Sequence, residues 1–106
     1  MCQNGIIDPA TRSLNSLMLF IVIETFKKGT LQAVGERFQR HGRMLPAGVM
    51  YVNSWMEATG PRCFQLMEAA NKESLQQWID RWNDLVNFEI VPVLTSAEFW
   101  QKTQPT

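Results

Sequence analysis

Residues 50–70, MYVNSWMEATGPRCFQLMEAA, constrain the fold more than any other stretch of the chain. They read as two strands joined through Gly60-Pro61, a pair that interrupts periodic structure and favours a tight reversal. The strands run over residues 49–58 and 62–70, and each mixes large apolar side chains with a few polar ones. A helix-plus-strand unit lies on either side of this hairpin, so the element order reads β-α-β-β-α-β. That order fits a split βαβ arrangement, in which the first and third strands are central and both helices cover one face of the sheet.

The flanking elements agree with it. Residues 17–26, LMLFIVIETF, are apolar on both alternating sets until Glu24, as expected of a strand covered on both faces. The apolar run over 17–23 is far shorter than the ~20 residues a bilayer-spanning helix needs. It could pass for a weak signal-peptide core, but Glu24, Thr25, Phe26 and Lys27 stand where a small-residue cleavage site would be required. No membrane association is expected. Lys27-Lys28-Gly29 makes a turn, Thr30 an N-cap, and residues 31–41 a helix with Leu31, Val34 and Phe38 on one stripe, ended by Gly42. The linker over 43–48 carries Met44 and Leu45 before Pro46, apolar side chains that would pin it to the sheet edge.

Asn71 caps a second helix predicted over 72–85, whose stripe of Leu75, Trp78, Ile79, Trp82, Leu85 and Val86 is the main packing contribution to the core. Residues 88–94 form the fourth strand; Pro92 cannot donate a ladder hydrogen bond, which places that strand at an edge. Thr95, Ser96, Ala97 and Glu98 spell a capping box opening a short terminal helix with Phe99 and Trp100. Residues 1–16 show no periodicity and are expected to be a disordered extension, residues 17–101 the single domain, and 102–106 a tail. The fold class is α+β, ferredoxin-like, with a four-stranded antiparallel sheet.

Charge narrows the function classes. Lysine plus arginine equals aspartate plus glutamate at 10 each, so nothing global points to nucleic acid or an anionic membrane. Basic residues are not interleaved with exposed aromatics as a strand-binding sheet requires. Locally, Lys27, Lys28, Arg37, Arg40 and Arg43 face Glu36 alone, either a solvated basic face, an anion site near the first helix or a self-complementary subunit contact. Cys2 and Cys63 make neither a disulfide framework nor a metal pattern, so a reducing cytoplasm is the expected location. Motifs for phosphate loops, dinucleotides, serine hydrolysis, zinc or calcium are missing, and no cofactor is expected.

Two helices cover one side of such a sheet. Met18, Phe20, Tyr51, Trp55, Met67 and Phe88 cannot all be hidden behind them by a single alternation, and a monomer would leave an apolar patch. A homodimer packed sheet to sheet is therefore expected, with a cavity lined by Glu24, Tyr51, Asn53, Trp55 and Gln65. Glu24 is either a desolvated general base or a solvated carboxylate at the sheet end. Asn53 and Gln65 either orient a ligand carbonyl or bond each other across the strands. Tyr51 and Trp55 are dimer core or a binding platform, and Arg43 is a carboxylate anchor or part of a structural ion pair. Cys63 beside Arg62 is either a thiolate of lowered pKa or a small core residue. His41, the one histidine, reads as a solvated imidazole at a helix end.

MLFIVIETFK (18–27), GRMLPAGVMYVNSWME (42–57), RCFQLMEA (62–69) and LQQWIDRWNDLVNFEIVPVLTSAE (75–98) together resemble a family of short, mostly bacterial proteins classed as a domain of unknown function. Arg43, Leu45, Pro46, Trp55, Arg62, Cys63, Gln65, Met67 and Glu68 match its recurrent pattern, whereas His41 does not. The resemblance leaves out the first seventeen residues and implies a ferredoxin-like fold of the dimeric α/β-barrel type, with no assigned activity. The wider superfamily resembled includes cofactor-free monooxygenases, isomerase-like enzymes, haem-degrading enzymes and ligand binders. The functional expectation is a homodimer binding a small, partly apolar molecule between sheet and helices through Asn53, Trp55, Gln65 and Arg43. The alternative is a cofactor-independent monooxygenase or isomerase-like enzyme, with Glu24 as base and an amide polarising a carbonyl. A third class is a structural partner whose inner face is filled by aromatic packing.

Overall fold

A computed structural model describes residues 17–103. The elements are β1 (Met18–Phe26), α1 (Leu31–His41), β2 (Val49–Met56), β3 (Arg62–Ala69), α2 (Lys72–Ile79), β4 (Val86–Val93) and α3 (Ser96–Thr103). The strands form one sheet in the order β2-β3-β1-β4, antiparallel at every junction. This is the ferredoxin-like arrangement, with β1 and β3 central and Pro92 on an edge strand.

Register assigns the faces. Phe20 and Val22 of β1, Met67 and Ala69 of β3, and Val86 of β4 point to the helix side, where Leu75, Trp78, Ile79 and Trp82 bury against them. Trp78 meets Phe88 edge to face at 5.7 Å between ring centroids. Leu19, Ile21, Ile23, Phe64, Leu66, Val91 and Val93 take the opposite face and are only half-buried.

β2 departs from simple alternation. Tyr51 pairs with Met67 and Asn53 with Leu66, so Val52 is an extra residue in the strand, a β-bulge. The inserted residue reverses parity: Tyr51, Ser54 and Met56 lie on the helix side, while Asn53 and Trp55 turn to the other face. Strict alternation along β2 would have kept Tyr51, Asn53 and Trp55 together, and the bulge corrects that expectation. It also revises the expected apolar patch. Phe20, Tyr51, Met67 and Phe88 are covered by helices, leaving Trp55 exposed beside the half-buried aliphatic residues of the open face, while Met18, also exposed, shares the helix side with Phe20 at the start of β1.

Helix ends explain the remaining boundaries. Asn71 accepts from the Ser74 amide at 2.9 Å, and Thr95 and Glu98 bond each other's amides reciprocally at 3.0 and 2.9 Å. Thr30 sits at the start of α1 without capping it; its hydroxyl donates to the carbonyls of Lys27 and Leu85, tying this turn to the entry of β4. α2 ends at Ile79 rather than residue 85, because the bonds beyond it tighten to i→i−3, as in Arg81 to Trp78 and Trp82 to Ile79. The tightened turns still carry Trp82 into the core, and β4 starts at Val86 instead of 88. Lys102 and Thr103 belong to α3 rather than to a tail. The extension expected over 1–16 lies outside the described residues.

Candidate functional site

α1 buries no residue, although it carries a clear apolar stripe. Leu31 is 63% and Phe38 45% exposed. The helix stands away from the sheet, and the space beneath it is a cavity of about 320 Å³. Val34 and Phe38 of α1, Trp78 and Trp82, and Met56 make its apolar walls. Glu24, Arg43, Ser54, Cys63 and Gln65 also line it. Larger hollows of about 520 Å³ beside Lys27–Gly29 and about 420 Å³ between α2 and β4 contain no buried ionisable side chain.

Polar groups form a chain across the cavity floor. Gln65 Nε2 donates to Glu24 Oε2 at 2.5 Å, and Arg43 Nε donates to Gln65 Oε1 at 3.3 Å. The register explains the first bond: Val22 faces Gln65 and Glu24 faces Cys63, placing Glu24 and Gln65 diagonally on one side of adjacent central strands. Both are more than nine-tenths buried. Burial pushes the Glu24 carboxyl up to about 7 against the lowering effects of the Gln65 hydrogen bond and the Arg43 charge.

Arg43 reaches the cavity from the linker after α1. Gly42 has φ 65° and ψ −154°, a conformation open to glycine, and lets the chain reverse there. Beyond it the backbone carbonyl of Arg43 accepts two indole N–H bonds, from Trp78 at 3.0 Å and Trp82 at 2.9 Å. Arg81 fixes the next carbonyl, that of Met44. With its backbone held from α2, the guanidinium of Arg43 stacks on Tyr51 at 3.5 Å from the ring centroid and lies 5.2 Å from that of Phe38. Tyr51 is kept in place by a 2.7 Å bond between its hydroxyl and that of Ser54, its neighbour across the bulge. Arg43 forms no salt bridge among the described residues, and neither Nη atom has a protein acceptor.

Of the residues singled out in the sequence, Glu24, Arg43 and Gln65 are thus brought together, with Tyr51 supporting Arg43 from below. Asn53 and Trp55 are not part of this cluster: both sit on the opposite face, and Asn53 Oδ1 accepts from the Ser54 amide at 2.8 Å rather than from Gln65. The cavity itself lies between sheet and helices, not between two sheets. Val34, Phe38, Ser54, Met56, Trp78 and Trp82 are lining residues that the sequence left without a site role; the tryptophans were legible as apolar periodicity but not as walls of an open space. His41 is exposed at the end of α1. Cys63 is buried, and burial with the nearby Glu24 pushes its thiol up to about 11, which removes the thiolate reading. Arg62 instead grips Glu57 across the hairpin with two bonds of 3.1 Å. Among the described residues no group of three or more His, Cys, Asp or Glu side chains could hold a metal ion, and no helix is long and apolar enough to cross a membrane.

Fold and cavity together define a ferredoxin-like α+β protein with an aromatic-walled pocket closed on one side by a buried Glu–Gln pair extended by a half-buried Arg. The chain belongs to the family described as Domain of unknown function (DUF3303), whose model matches residues 18–106. No curated protein matches it. Among solved structures it is similar to an uncharacterized NIPSNAP-like domain protein from Burkholderia xenovorans, at 12% identity and a TM-score of 0.47, covering 86% of this chain and 90% of that one.

Proposed function

We propose that this protein binds a small, partly apolar molecule in the cavity between α1, α2 and the sheet. The observation that carries this is an aromatic-walled space of about 320 Å³ with buried polar groups converging at one end. It is at the lower limit of the ~300–1,000 Å³ typical of ligand sites. A structural protein with a filled interior would have packed the Leu31, Val34 and Phe38 stripe onto the sheet. The test is titration with a neutral apolar probe, indole, followed through the side-chain N–H resonances of a protein labelled with nitrogen-15. Trp78 and Trp82 line the cavity while Trp55 and Trp100 are exposed elsewhere. Saturable shifts at the first pair alone support the proposal. Their absence, with Gly35→Leu behaving as wild type, overturns it.

A second reading, cofactor-independent proton transfer, is favoured by one observation. Glu24 combines burial with a pKa raised to about 7, and the Gln65 amide and Arg43 guanidinium stand beside it. A base so placed could remove an acidic C–H proton while Arg43 stabilises the developing oxyanion. Deuterium exchange at the methylene of phenylpyruvate, compared between wild type and Glu24→Gln, tests it; equal rates sink the idea.

We further infer that a second copy covers the open sheet face. Its support is the run of Leu19, Ile21, Ile23, Phe64, Leu66, Val91 and Val93 on that face, with Trp55 51% exposed at its margin.

A further inference from the structure

Two kinds of unused hydrogen-bonding capacity lie close together in the cavity. Glu24 is 8% exposed, and its one side-chain hydrogen bond, from Gln65, ends on Oε2, so Oε1 has no protein donor among the described residues. Arg43 uses Nε on Gln65 and its flat face on Tyr51, leaving both Nη atoms without an acceptor among the described residues. Gln65 holds the two apart and in order, since its oxygen is taken by Arg43 and its nitrogen by Glu24. The floor therefore offers an acceptor and a two-pronged cationic donor bridged by Gln65, beneath the aromatic walls of Phe38, Trp78 and Trp82.

We propose that the occupant is a small, largely aromatic or aliphatic molecule bearing an oxyanion next to a hydroxyl or enol hydrogen. The oxyanion pairs with the Arg43 guanidinium, and the neighbouring O–H donates to Glu24 Oε1. This rests on the cavity being a binding site and names the class of molecule it takes.

Other chemistries leave something unmatched. An amine would satisfy Glu24 but set a like charge against Arg43. A wholly apolar molecule would cover both groups and satisfy neither. A simple carboxylate would pair with Arg43 yet, above the titration of Glu24 near 7, turn only lone pairs toward its Oε1. A phosphate dianion would find one arginine and no lysine among the lining residues, with a carboxyl next to it. A vicinal hydroxy-anion matches both groups and retains an apolar body for the walls. Stacking on Tyr51 and the two indole bonds to the Arg43 carbonyl hold the guanidinium in place before binding, so little side-chain ordering remains to oppose affinity.

The experiment is a comparison of mandelate, phenylacetate, phenylacetamide and 2-phenylethylamine, each titrated at pH 8 into the full chain and followed at the Trp78 and Trp82 indole resonances. The expected result is that mandelate binds about tenfold or more tightly than phenylacetamide and 2-phenylethylamine, and more tightly than phenylacetate. Arg43→Gln is expected to erase that preference, and Arg43→Lys, which keeps the charge without the planar fork, to restore part of it. If the wild-type protein binds phenylacetamide or 2-phenylethylamine as well as mandelate, the ligand class is wrong and the cavity stands as a binding site. If phenylacetate equals mandelate, the pairing with Glu24 is overturned. If no compound moves Trp78 or Trp82, or the shifts fall on Trp55 and Trp100, the placement in this cavity fails along with the ligand class.

Discussion

The indole N–H of Trp82 donates to the backbone carbonyl of Arg43 at 2.9 Å, a bond between residues 39 positions apart in sequence. Through it, and the parallel bond from Trp78, the packing of α2 determines where the linker after α1 places its arginine. Trp82→Phe removes that donor while retaining most of the apolar wall. We expect a loss of about 1–3 kcal/mol in urea denaturation, the sum of one buried hydrogen bond and a small packing defect. Affinity for mandelate should fall as well, because the Arg43 backbone is then held by one indole instead of two. An unchanged midpoint and affinity would show that Trp78 alone suffices.

Glu24 gives the protein a pH dependence of definite sign. Its carboxyl titrates near 4.5 when the chain is unfolded and near 7 when folded, because burial disfavours the charged form. Between those values the unfolded state binds fewer protons than the native one, so stability falls as pH rises from about 4.5 to about 7. Below that window the group is protonated in both states and has no effect. Glu24→Gln should match wild type near pH 4.5 and exceed it at pH 8 by about 1–3 kcal/mol. Chemical denaturation across this range measures the difference, and identical curves for the two proteins would contradict the burial account.

The open sheet face predicts an oligomeric state. Trp55 is half-exposed on that face and lies away from the cavity, so Trp55→Glu should leave the monomer fold intact while setting a charge in the contact between copies. Sedimentation equilibrium is expected to give a dimer for wild type and a shift toward monomer for the variant. A monomeric wild-type protein at micromolar concentration would remove the homodimer proposal.

Arg37 ties α1 to the turn before β4. It donates to both carboxylate oxygens of Asp84 at 2.8 Å and to the Arg81 carbonyl at 3.0 Å, and the pairing holds the Asp84 carboxyl down at about 2. The pair is exposed to solvent, so its removal should matter little to global stability. Since α1 has no buried residue of its own, the effect should be local: Asp84→Asn is expected to speed amide hydrogen exchange within residues 31–41 and leave the central strands unchanged.

Gly35 sits in the interior of α1 beside the cavity, with open space around the position a Cβ would take. Gly35→Ala should therefore stabilise the protein by about 0.5–1 kcal/mol through helix propensity, measured by thermal melting. A destabilised variant would mean that α1 approaches the sheet more closely than this structure places it.

The local sequence determined the order of elements, the edge position of the fourth strand, and the caps at Asn71 and Thr95, because periodicity, proline and capping side chains act within a few residues of themselves. Glu24 and Gln65 were legible as polar interruptions in apolar strands. Which face they share with Tyr51, and which they do not share with Asn53 and Trp55, was decided by a single inserted residue at Val52. A bulge reverses the side-chain alternation, yet nothing in the residues around Val52 marks one, since only pairing with β3 reveals the extra position. The cavity likewise belongs to tertiary structure. Leu31, Val34 and Phe38 carry the same spacing whether α1 packs onto the sheet or stands above it, and the difference lies in where Gly42 and the indole-bound Arg43 carbonyl anchor the chain that follows.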